Sequence, residues 1–221
     1  MGSDSIFIEK SVPMDIMFLL GAKSGEDGEQ NFKYQREMVL GMLSNYAISD
    51  DLTRVGIILY GKRASVQTRL AADNDEKLLK VLVSALMHVK PEQDLSSALK
   101  LAKLRLFSDT KRRNVPKQIV LFVTSKSDED PVPTASQLLS DGVDITVIAV
   151  GSNANMKEVS DIVGGRKDKI FNVNSDKDKD VIVSPKPGKH ISFYAISKIF
   201  LCWLESKIIF HFIPFIYPKG P

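Results

Sequence analysis

Four stretches of this chain are apolar without alternation: MDIMFLL (Met14 to Leu20), RVGIILYG (Arg54 to Gly61), QIVLFVTS (Gln118 to Ser125) and VDITVIAVG (Val143 to Gly151). A strand with one wet face alternates apolar and polar residues. A run that does not alternate and is rich in β-branched residues suits a strand buried on both faces. Strands of that kind occur almost only in sheets covered by helices on both sides. This one feature therefore excludes most all-β and all-helical folds.

The segments between the runs carry the helical spacing that such a sheet requires. Glu29 to Ala47 repeats Phe32, Met38 or Val39, Met42 or Leu43, and Tyr46 along one face. Asp73-Asn74 can cap a helix from Asp75 to about Met87, with Leu78, Leu79, Leu82, Val83 and Leu86 on its stripe. Asp94 can cap another that runs to Phe107. Thr134 to Asp141, ended by Gly142, and Asn155 to Val163, stopped by Gly164-Gly165, read as short helices. ASVQTRL (Ala64 to Leu70) alternates and follows a tight turn, so it predicts an antiparallel partner for the second strand. KIFNVN (Lys169 to Asn174) predicts a short last strand. The expected fold is α/β and doubly wound: a six-stranded, mostly parallel sheet with one antiparallel edge strand and helices on both faces.

In such a sheet a ligand site lies beyond the carboxyl ends of the strands. The loops there are Gly21 to Gly28, Lys90 to Ser96 and Ser125 to Pro131. None carries a catalytic pattern. A phosphate-binding G-x-x-x-x-G-K-[ST] ending at Lys23-Ser24 would need glycine where Met17 and Ala22 stand. Gly21, Gly25 and Gly28 miss the dinucleotide G-x-G-x-x-G spacing and suit turns. Ser24 has Ala22 and Glu26 where a nucleophile elbow needs glycines, and no histidine falls in these loops. The reading is of a non-enzyme with no cofactor.

Length and charge narrow it further. The 221 residues can bury one good core and add an appendage, but not two full domains. A net charge of +3 with both signs interspersed gives no nucleic-acid footprint. The densest basic cluster, Lys111 to Arg113, reads as a solvated loop. Cys202 is the single cysteine, so no intramolecular disulfide can form. His88, His190 and His211 lack the spacing of a shared metal site and read as surface or boundary residues. No signal peptide is visible at the start, which predicts an intracellular protein or an internal piece of a longer secreted one.

The order of elements and their wording resemble a von Willebrand factor A domain. FLLGAKSGEDGEQNF, TRVGIILYG, ASVQTRL, SSALKLAKLRLF, VPKQIVLFVTSKSDED, LLSDGVDITVIAVG, MKEVSDIVGG and KIFNVN follow in the family's order over residues 12–174. Within the family the wording looks most like the A domains of collagen VI-type chains. The resemblance implies a secreted extracellular-matrix module for cell adhesion and protein binding. Its partners would be other proteins, matrix or collagen chains among them.

The resemblance also implies a place for a divalent cation, held by oxygen ligands from three loops. Carried over residue by residue, the pattern fails. Gly21 stands at the family's aspartate; Lys23 and Gly25 stand at its two serines. Gln93 falls at the threonine and Ser125 at the last aspartate. With no carboxylate and an ammonium at Lys23, the site is expected to be degenerate and to hold no metal. What remains is a candidate partner face: Gly21, Lys23, Ser24, Gly25, Gln93, Asp94, Ser125, Lys126 and Asp128. Asp27, Asp94, Asp128 and Asp130 are expected to cap helices or stay solvated. Two alternatives stay open: a spacer domain or truncated fragment with no ligand of its own, and an enzyme of Rossmann type.

The expected organisation is an extension at 1–11, the A-like domain at 12–174 and an atypical tail at 175–221. That tail is apolar and aromatic-rich, with Phe193, Tyr194, Phe200, Trp203, Phe210, Phe212, Phe215 and Tyr217. Three readings compete for it. Residues 191–212 could cross a membrane, at the cost of Lys198, Glu205, Lys207 and His211 at bilayer depth. Ile196, Phe200, Trp203 and Leu204 could replace the family's final helix. Or the tail is an altered terminus that ends the domain early.

Overall fold

The computed structural model describes residues 13–21, 27–70, 75–88, 92–175 and 177–179. The chain divides into two compact units, Met1–Ser184 and Pro185–Pro221. Every described residue belongs to the first. The tail readings, the 191–212 span, Cys202, His190 and His211 all lie outside the described residues. Among the described residues no helix is long and apolar enough to cross a membrane.

The apolar runs become strands β1 (Met14–Leu20), β2 (Thr53–Leu59), β4 (Lys117–Val123) and β5 (Val143–Val150). Ser65–Thr68 forms β3 and Ile170–Val173 forms β6. The six-stranded sheet runs β3-β2-β1-β4-β5-β6. All neighbours are parallel except β2 and β3, whose ladder shifts register between Ile57 and Ile58. The β1 register sets Phe18 between Ile57 and Val120.

Helices α1 (Gly28–Leu43) and α2 (Glu76–Ala85) pair with each other. Helices α3 (Leu95–Leu106), α4 (Val132–Ser140) and α5 (Met156–Ile162) form the other layer. Met17, Leu19, Leu121, Ile145 and Val147 point into the core beneath α3, α4 and α5, with Leu99, Leu106, Leu138 and Ile162. Strand alternation turns the equally buried Ile16, Phe18 and Leu20 to the opposite face. Burial on both sides is why these runs carry no polar alternation.

Three sequence expectations are corrected. First, the α1 pattern ends at Leu43, not Ala47. Asn45 N donates to Met42 O and Tyr46 N to Leu43 O, so the chain leaves in turns. Second, Leu78 does not share the buried stripe of α2. It is 41% exposed, whereas Leu79 and Val83 are fully buried. Asp75 itself caps this helix, its side chain accepting from Leu78 N. Third, the Lys111 to Arg113 cluster is not all solvated. Arg112 is buried and pairs with buried Asp15 at 2.9 Å. Its guanidinium also donates to the carbonyls of Met14, Asp50, Asp51 and Leu52. One arginine thus closes the amino end of the sheet.

His88 is a boundary residue, within its sequence reading. Its side chain is 3% exposed, stacks on Phe32 at 5.5 Å between ring centroids, and lies 3.5 Å from Glu29.

Candidate functional site

The chain order fixes where a site can form. From β1 the chain crosses to β2 on one side. After α3 it returns to β4 on the other side of β1. The carboxyl ends of β1 and β4 therefore diverge into loops on opposite sides, which opens a crevice between them. The residues at those ends are Gly21 and Thr124-Ser125, and the chain entering α3 reaches across with Gln93.

Gln93 is fully buried, and each of its polar atoms is engaged. Its Nε2 donates to Thr124 Oγ1 at 2.7 Å and to Gly21 O at 3.3 Å. Its Oε1 accepts from Ser125 Oγ at 2.7 Å and Ser125 N at 3.1 Å. Its backbone N donates to Asp128 Oδ2 at 2.8 Å, and its carbonyl accepts from Asp128 N at 2.9 Å. Ser127 Oγ donates to the same carbonyl and accepts from Leu95 N at 3.0 Å.

Gly21 is held just as closely. Gln35, buried in α1, accepts from Gly21 N at 3.0 Å and donates to Gly21 O at 2.9 Å. On its other side lies Tyr60, whose hydroxyl donates to Phe122 O. A β-carbon on Gly21 would sit 2.8 Å from the Tyr60 ring and closer still to the Tyr60 carbonyl. Burial pushes the Tyr60 phenol well above its usual range, so the ring stays neutral.

Around this buried centre lies an exposed rim. Lys126, Asp128, Glu129 and Asp130 are exposed and Ser125 is half-buried. Ser127 N donates to Glu158 Oε1 at 3.0 Å, which ties the rim to α5. Burial raises the Glu158 carboxyl above its ordinary value, against the pull of that bond and of Lys126.

The structure thus brings Gly21, Gln93, Ser125 and Asp128 together. It corrects the idea that all of them face a partner, because Gly21 and Gln93 are buried beneath the rim. Asp94 caps α3, accepting from Ser97 N at 2.9 Å, as expected. Asp128 neither caps a helix nor stays merely solvated; it holds the Gln93 backbone. Lys23, Ser24 and Gly25 lie outside the described residues. Sequence reasoning missed Gln35, Tyr60, Thr124, Ser127 and Glu158. Only Gln35 left a signal, as a polar residue three places after Phe32 on the apolar stripe of α1.

The von Willebrand factor type A domain family model matches residues 15–183. The chain belongs to this family. The match takes in all six strands but for Met14 and runs past Asn174. A-domain relatives at lower identity agree. Von Willebrand factor A domain-containing protein 2 of Mus musculus is 26% identical over 164 residues, 72% of this chain and 20% of that protein. Matrilin-2 of Mus musculus is 25% identical over 71% of this chain and 17% of its own length. A collagen alpha-1(XXI) chain of Xenopus laevis is 22% identical over 68% of this chain and 16% of its own. The chain spans about a fifth or less of the length of these relatives. Among solved structures, proximal thread matrix protein 1 from the mussel byssus, with a zinc-occupied MIDAS motif, shares the A-domain fold. It has a TM-score of 0.69 and 20% identity, and the match covers 78% of this chain and 45% of that one.

Among the described residues, the space and the oxygens at this place are already taken. The place of a first-loop carboxylate is Gly21, where no side chain has room beside Tyr60. The Gln93 Nε2 hydrogens already point at Gly21 O and Thr124 Oγ1. Among the described residues, no group of three or more His, Cys, Asp or Glu could hold a metal ion.

Proposed function

We propose that this A domain is a non-enzymatic, metal-independent protein-protein interaction module of extracellular-matrix, collagen VI-like type. Its partner face is the rim formed by Ser125, Lys126 and Asp128, to which the sequence reading adds Lys23, Ser24 and Gly25. The observation that carries this reading is the pairing of an exposed charged loop with a fully hydrogen-bonded floor. Lys126 and Asp128 are exposed, while Gln93 beneath them is fixed through Asp128, Thr124 and Ser125. A charged rim of this kind favours a partner of complementary charge and gives contacts that weaken with salt. The kinship with matrilin and collagen chains supports other matrix chains as partners and an extracellular setting.

The test is binding of the whole chain to immobilised matrix and collagen chains, with and without EDTA and over a salt series. Lys23 and Lys126 are then reversed to glutamate together. The expected result is binding that EDTA leaves intact, that salt weakens and that the double reversal abolishes. Strict Mg²⁺ dependence would sink the metal-independent reading. Binding untouched by the reversal would make the domain a spacer at this face.

A further inference from the structure

We infer that the Gln93 side chain is a built-in cross-link that holds the loops of this end in a single arrangement, so that no cation is needed to join them. A primary amide offers two N–H donors and an oxygen with two acceptor positions. Here all are used, and they go to different segments of the chain. The donors reach Gly21 at the end of β1 and Thr124 just past β4. The oxygen takes both the backbone and the hydroxyl of Ser125. The backbone of the same residue grips Asp128 in both directions. Gly21 O takes a second hydrogen from Gln35, so α1 is bound into the same joint.

Other side chains cannot do this. Glutamate has acceptors only and would set a carboxylate against the Gly21 carbonyl. Threonine and asparagine are too short to span the crevice. Because Gln93 is completely buried, its bonds do not compete with water, and an unpaired partner left behind would be costly. Gln93 is a positioning residue: it touches no partner and acts by fixing Ser125 and Asp128. The inference concerns the same end of the sheet as the proposed partner face. Its test uses no partner, so either can fail while the other stands.

The experiment is site-resolved hydrogen exchange on the whole chain. It compares wild type, Gln93→Ala and Gln93→Glu, with EDTA and with millimolar-range MgCl₂, MnCl₂ or ZnCl₂. In wild type the Ser125 amide should be protected equally in EDTA and in each metal salt. In Gln93→Ala the Ser125 amide should exchange about tenfold faster, while the Ile119 to Leu121 amides of β4 keep their rates. Gln93→Glu should melt below wild type at neutral pH. That gap should narrow on acidification, because a protonated carboxyl regains a donor for Gly21 or Thr124. Three results would overturn the inference: Ser125 protection that rises about tenfold with a metal salt, Gln93→Ala exchange at Ser125 equal to wild type, or a Gln93→Glu gap constant with pH. If Gln93→Ala does not fold, the wild-type metal series and the Gln93→Glu pH series decide.

Discussion

Gly21 and Tyr60 occupy each other's space. The glycine follows Leu20, the last residue of β1, and the tyrosine ring and carbonyl fill the volume where its side chain would stand. Tyr60 is buried and anchored through its hydroxyl to Phe122 O, so it has no route out of the way. Gly21→Ala should therefore destabilise the fold by about 3 kcal/mol, the upper range for forcing extra volume into a packed interior. Tyr60→Phe, which keeps the ring and drops one hydrogen bond, should cost only about 1 kcal/mol. Urea denaturation of the two variants checks both values. A neutral Gly21→Ala would show that this end of β1 has room for the carboxylate that other A domains are expected to carry there.

At the opposite end of the sheet, Arg112 supports Asp15 across 97 positions of sequence. Both are buried, and the arginine also takes four backbone carbonyls of neighbouring loops. Removing one partner of a buried pair leaves the other charge uncompensated. Arg112→Ala should lose about 3–5 kcal/mol. Lys111→Ala, one residue away and exposed, should stay within about 0.5 kcal/mol of wild type. Equal effects at the two positions in a thermal melt would return the cluster to the solvated loop that its sequence suggests.

These two places mark where the sequence is legible and where it is not. The strands could be read because burial on both faces suppresses alternation, a property each run carries within itself. Their alternation with helices pointed to a mostly parallel sheet and to the loops at its carboxyl ends, whereas the strand order that opens the crevice between Gly21 and Ser125 came with the fold. Arg112 could not be read, because its environment comes from Asp15 and from loops near residue 50, none of them close in sequence. Gln93 could be aligned to a ligand position but not recognised as a joint, since its partners sit at 21, 124, 125 and 128. The glycine at 21 reads as a turn residue. Only the packing of Tyr60 shows that it is required by space.

Helix α2 gives a direct test of how a stripe is oriented. Leu78, Leu79, Leu82 and Val83 are adjacent apolar residues, and periodicity alone does not say which of them face the core. The fold buries Leu79 and Val83 fully and leaves Leu78 41% and Val81 65% exposed. Leu79→Ala should cost about 2–5 kcal/mol, whereas Leu78→Ser should stay within about 0.5 kcal/mol. Chemical denaturation distinguishes them, and a costly Leu78→Ser would mean that the helix sits rotated on the sheet.

Glu158 links the rim to acidity. Its carboxylate accepts from Ser127 N, yet burial dominates and raises its pKa above the ordinary 4.5. The folded state therefore holds this proton more tightly than the unfolded chain does. The stabilising contribution is fully present below pH 4.5 and is lost as pH rises through the raised folded value. At neutral pH the charged carboxylate is a half-buried liability that the Ser127 bond and Lys126 only partly offset. Glu158→Gln keeps an oxygen for Ser127 N and removes the charge. It should melt at or above wild type at pH 7 and lose the part of the acid stabilisation that sets in as pH falls through the raised folded value. Parallel melting curves for the two proteins from neutral to acid pH would show instead that Glu158 titrates alike in the folded and unfolded chain, and that water reaches it beneath the rim.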